Sequence, residues 1–85
     1  MPKISEFYGI QIYMHASDHP PPHFHAEYGG YEASIDIRTG AIQVGELPAR
    51  AFRLVHEWWQ LRRDELAENW RRIEADEPLS RIEPL

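Results

Sequence analysis

Hydrophobic and polar residues alternate through the first half of the chain and switch to a helical period in the second. In residues 9–15, Ile10, Ile12 and Met14 alternate with Gln11, Tyr13 and His15, the pattern of a strand with one buried face. Residues 23–28 and 31–37 alternate in the same way. They are joined by Gly29-Gly30, which supplies the positive φ that a two-residue hairpin turn demands. That turn sets a register: Tyr28 opposite Tyr31, Glu27 opposite Glu32, Ala26 opposite Ala33, His25 opposite Ser34, Phe24 opposite Ile35 and His23 opposite Asp36. One face then collects Phe24, Ala26, Tyr28, Tyr31, Ala33 and Ile35 as the core side. The other collects His23, His25, Glu27, Glu32, Ser34 and Asp36, and a one-residue slip would bury this charged set. Residues 41–45 predict a short further strand and residues 4–7 another at the edge. Residues 16–22 form a loop built around Asp18 and three prolines, and Arg38-Thr39-Gly40 a second turn.

From Pro48 onward, Ala51, Leu54, Val55, Trp58, Leu61, Leu66, Trp70 and Ile73 fall on one helical face. After Leu61 the stripe is interrupted by Arg62, Glu65 and Asn69, and Asp64 is placed to cap a second helix. An unbroken helix over residues 50–75 would be ~39 Å long. A domain of this size is roughly 30 Å across. Either the helix bends near Arg62, or its second half overhangs and packs on another chain. Residues 77–85, with Pro78 and Pro84, read as an extended tail beyond a single domain over residues 1–76. The expected fold is α+β: a small antiparallel sheet of three to five strands, covered on one face by a C-terminal long helix or helix pair.

Composition narrows the function. The chain has 85 residues, enough for one core. Its 14 acidic and 9 basic residues leave a net charge of −5, the reverse of the basic footprint of nucleic-acid binders. Direct contact with nucleic acid is therefore disfavoured. Cysteine is absent, which excludes disulfides, thiolate zinc sites and thiol nucleophiles. No stretch approaches the ~20 apolar residues of a membrane span, and none reads as a signal sequence. The expectation is a small soluble protein of the cytoplasm. Residues 1–45 hold only Lys3 and Arg38 as cations but four of the five histidines. The seven arginines of the second half alternate with nine acids, as on a solvated helix surface.

The histidines carry the candidate chemistry. His23 and His25, two apart on a strand, rise from the same side about 7 Å apart, within reach of one divalent ion such as zinc, nickel or copper. His19 stands ~12 Å from His23 across the prolines, near the limit for sharing that ion, and is the third metal-ligand candidate. Glu27 and Glu32 are directly opposed, an arrangement that like-charge repulsion disfavours unless a proton, a cation or an arginine intervenes. Asp36 faces His23 and is placed to orient that ring or take its proton. Of the adjacent tryptophans, Trp58 belongs with Trp70 in the core, whereas Trp59 and Phe52 are candidate anchors for a protein partner. His56 reads as a rim residue. No phosphate-binding loop, serine nucleophile motif or calcium loop is present in the sequence.

The run Asp18-His19-Pro20-Pro21-Pro22-His23-Phe24-His25, the Tyr28-Gly29-Gly30 turn, Gly45-Glu46-Leu47-Pro48 and the later Trp58, Glu65-Leu66 and Asn69-Trp70 resemble a bacterial family known as domain of unknown function 4160. The resemblance covers roughly residues 2–75. It implies that His19, the prolines, His23 and His25 are signature positions and that Trp58 and Trp70 are the family's helical tryptophans. It also implies a small bacterial cytoplasmic protein, frequently encoded beside another small domain in an arrangement like toxin–antitoxin pairs. No activity follows from it. The sequence thus points to a protein-binding module, one half of a regulatory pair or a homo-oligomer, whose histidine-rich sheet face is either ordinary solvated surface or a candidate site for a divalent metal. The alternative is a dedicated transition-metal protein or a histidine-dependent, nuclease-like enzyme. The scarcity of cations beside the histidines argues against phosphate chemistry.

Overall fold

The computed structural model describes residues 2–85. Five strands and two helices follow in chain order: β1 (Lys3–Phe7), β2 (Ile10–Tyr13), β3 (His23–Tyr28), β4 (Tyr31–Asp36), β5 (Ile42–Gly45), α1 (Ala49–Leu61) and α2 (Arg63–Glu74). The strands form one antiparallel meander in the order β1-β2-β3-β4-β5, so the fold is α+β. The β3–β4 hairpin has the register its alternation demands, with His23 opposite Asp36 and Tyr28 opposite Tyr31. Gly29 at φ +60° makes the turn.

The apolar face of the sheet and the apolar stripes of the helices close on each other. Ile10, Ile12, Phe24, Ala26 and Ile35 are buried with Val55, Trp58 and Leu66. The Trp58 ring meets Phe7 at 5.4 Å and Phe24 at 5.7 Å between centroids. Tyr28 and Tyr31, expected on the core side, are exposed. They flank the turn at the end of the hairpin, where a phenol keeps its hydroxyl in water.

The helical half bends. Arg62, at φ −118° and ψ 21°, leaves the helical region between α1 and α2, and the molecule measures 34 Å along its longest axis. A straight helix would overrun that length. Asp64 does not cap α2: Arg62 holds the cap position without a side-chain bond, and Asp64 and Glu65 occupy the first turn, where negative charge suits the helix dipole.

Adjacent tryptophans are both buried because two different pieces of chain cover them. Trp58 donates its indole N–H to the Glu83 carbonyl (2.8 Å), and Trp59 donates to Ile37 O (2.6 Å) while lying over Gly40. Trp59 is therefore no exposed partner anchor; the turn after β4 takes up its hydrogen bond and one ring face. Phe52 remains half-buried, its ring 5.6 Å from that of His56. Residues 77–85 lack helix and strand, yet they fold back on the domain, with Ile82 buried and its N–H donated to Ile4 O (2.8 Å). No helix among the described residues is long and apolar enough to cross a membrane.

Candidate metal centre

The histidines converge because β2 ends where β3 begins. Tyr13 pairs with His25, so the polar faces of the two strands are continuous. His15, two residues beyond Tyr13, continues that face and meets the His25 ring edge-on at 4.3 Å. The His23 ring lies 5.0 Å from that of His25 on the same strand. Between the strands, the Asp18 N–H donates to His15 O (3.2 Å), turning the loop back on itself, and the Pro20–Pro21 peptide bond is cis. Asp18 Oδ2 then sits 3.1 Å from His25 Nε2 and 3.3 Å from His23 Nε2. One carboxylate oxygen thus faces two imidazole nitrogens.

The tautomer of His23 follows from its other side. Its Nδ1 lies 2.8 Å from the Pro21 carbonyl oxygen, which can only accept, so Nδ1 carries a proton. In the neutral ring, Nε2 then presents a lone pair to the Asp18 oxygen. The His23 ring also packs 5.5 Å from Trp70, so α2 backs the site. The side chains of His23, His25 and Asp18 are 12%, 18% and 19% exposed: sheltered, yet reached by solvent. His25 also borders an open cleft of about 480 Å³ lined by Glu32, Ser34 and Val44.

His15, Asp18 and His25 each offer one ligand atom, and these atoms lie within 4.8 Å of one another. A tetrahedral ion with bonds of ~2.0–2.2 Å holds its ligand atoms roughly 3.4 Å apart. Rotation of partly exposed side chains by about an ångström covers that difference. A second arrangement shares Asp18: its Oδ2 stands between the Nε2 atoms of His23 and His25, as a carboxylate bridging two imidazoles would.

Of the residues the sequence singled out, His25 stands at the centre and His23 beside it, while His19 is exposed and outside this group. Glu27 and Glu32 oppose each other as expected. Asp36, although opposite His23, has its carboxylate engaged elsewhere. Its Oδ1 accepts the N–H groups of Arg38 (2.6 Å) and Thr39 (3.2 Å), and its Oδ2 accepts from Gln43 (3.2 Å). Burial alone would raise this carboxyl; the two N–H groups and the Arg38 guanidinium outweigh it and hold it below the ordinary carboxylate range. The carboxylate that meets His23 is Asp18. Asp18 and His15 are the two site residues that sequence patterning passed over. Their signals were present: His15 extends the polar alternation of β2 by one step, and Asp18 immediately precedes the His-Pro-Pro-Pro-His run.

A family model described as Domain of unknown function (DUF4160) matches residues 9–71 of the 85-residue chain, a span that includes every residue of this centre. No curated protein and no solved structure matches the chain.

Proposed function

The chain belongs to the DUF4160 family, and we propose that it is a metal-binding module that takes one divalent transition-metal ion at His15, Asp18 and His25, with His23 as the fourth ligand. The observation that carries this reading is the contact of a single oxygen, Asp18 Oδ2, with Nε2 of both His23 and His25. With Nδ1 donating to the Pro21 carbonyl, Nε2 is the His23 atom that faces the Asp18 carboxylate. A divalent cation would take its bonds from these same nitrogen and oxygen atoms. A ring N–H given to a backbone carbonyl is also the support that metal-bound histidines ordinarily have. Imidazole and carboxylate donors without thiolate suit zinc, nickel or copper(II). Such an ion would tie the loop between β2 and β3 to both strands, so its binding free energy would add to folding stability.

The test is thermal unfolding of chelator-treated protein with and without zinc, nickel and copper, together with titration calorimetry. At a free metal concentration about 100-fold above Kd, the native state gains ~2.7 kcal/mol. For a chain of this length the midpoint then rises by on the order of 10 °C. We expect that rise with at least one of the metals, a stoichiometry of one, and loss of both in His25→Ala. A flat response to all three metals overturns the proposal.

A further inference from the structure

Residues 79–85 lie in a groove made by β1, α1 and α2, and the bonds that hold them there are made to their main chain. Asn69, fully buried, uses both ends of its carboxamide on one residue: Nδ2 donates to Ser80 O (2.8 Å) and Oδ1 accepts the Ser80 N–H (2.9 Å). Trp58 Nε1 donates to Glu83 O (2.8 Å), and Ile4 O accepts the Ile82 N–H (2.8 Å). None of these four bonds reads a side chain of the segment. What the groove does read is spacing. Leu79, Ile82 and Leu85 recur at every third position and all pack against the core, while Pro78 and Pro84 punctuate the run. Three residues per turn is the period of polyproline II, which carries unpaired N–H and C=O groups outward and is bound in aromatic-lined grooves.

We infer that the groove formed by Ile4, Trp58 and Asn69 is a peptide-binding site for a proline-containing protein segment with an apolar residue at every third position, and that residues 79–85 are its resident ligand. A segment of the same pattern on another protein replaces them. Because the resident is covalently attached, it competes at an effective concentration in the millimolar range. A segment supplied in trans therefore meets a nearly closed groove in the wild-type chain and an open one when the resident is weakened.

The experiment is a nitrogen-15 NMR titration of the full chain with a synthetic peptide of residues 77–85. The reporters are the indole N–H of Trp58 and the side-chain amide of Asn69. The indole N–H of Trp59, bonded to Ile37 O away from the groove, is the internal control. In Ile82→Asp, the resident loses its buried anchor while the groove is untouched. The peptide should move the Trp58 and Asn69 signals of this variant with an apparent Kd at least tenfold below that for the wild type. The Trp59 signal should stay in place, and a peptide carrying Asp at the Ile82 position should do nothing. A folded variant whose Trp58 and Asn69 signals ignore the peptide overturns the inference. If Ile82→Asp does not fold, Ile82→Ala is titrated in its place. If neither folds, several millimolar peptide on the wild-type chain decides: movement of both signals supports the site, and none overturns it.

Discussion

His25 Nε2 lies 3.1 Å from Asp18 Oδ2, although the two are seven positions apart with three consecutive prolines between them. The loop between β2 and β3 is thereby folded onto the strand it leads into, and its carboxylate becomes part of the sheet's polar face. A strand alone offers only His23 and His25. The loop supplies the anionic donor, and the end of β2 supplies His15.

Asp18→Asn keeps the shape of that carboxyl and removes its charge. Metal affinity should fall at least ~10-fold, since even outer hydrogen-bond partners of metal ligands are worth 10–100-fold. His19→Ala, which alters an exposed side chain outside the donor group, should leave affinity within about twofold. Calorimetric titration of both variants with the preferred metal separates the two expectations.

Asp36 predicts an acid-dependent loss of stability. Its carboxyl is held below the ordinary range in the folded chain, and its unfolded value is about 3.9. A depressed folded value contributes stability that is present above the unfolded value and is lost as pH falls through the folded one. Asp36→Asn should cost ~1–2 kcal/mol at pH 7 through weakened bonds to Arg38, Thr39 and Gln43. The gap between wild type and variant should narrow below about pH 4. Denaturant unfolding between pH 7 and pH 3 reads both.

Gly40 is the position that admits the Trp59 ring. It has φ +75°, and a Cβ there would stand 2.8 Å from two ring carbons. Gly40→Ala therefore combines a left-handed backbone with an overpacked contact against a ring fixed by its bond to Ile37 O. The expected destabilisation is roughly 2–4 kcal/mol, and the near-ultraviolet dichroism of the tryptophans should change with it. A change of less than about 0.5 kcal/mol would show that Trp59 is free to move aside.

Glu27 and Glu32 face each other across the hairpin with like charges. Glu32→Lys places opposite charges there and should raise stability by ~0.2–1 kcal/mol, the range for cross-strand pairs. The gain should shrink in 1 M salt, where screening acts within ~3 Å. A gain that persists in salt would assign it to packing instead.

The strands were legible because period-two alternation is a local property: each residue of residues 23–37 declares its face by its neighbours, and Gly29-Gly30 declares the turn. The pairing of His23 with Asp36 was read correctly for that reason. The role of Asp36 was not, because register gives the position of a backbone and not the partner of a side chain. The N–H groups of the following turn are nearer and already aligned. Trp59 shows the same boundary: helical periodicity placed it at the edge of the stripe, and the covering turn comes from 22 residues earlier in the chain.

By itself, then, the order of residues determined the sheet, its register, the helical half and the presence of histidines on one polar face, since all of these rest on short-range period and turn chemistry. Only the tertiary structure decided that the helix bends at Arg62, that residues 79–85 return to the core, and that His15 and Asp18 join His25. Each of those depends on where separate segments meet in space. Packing geometry sets that meeting, and no periodicity along the chain encodes it.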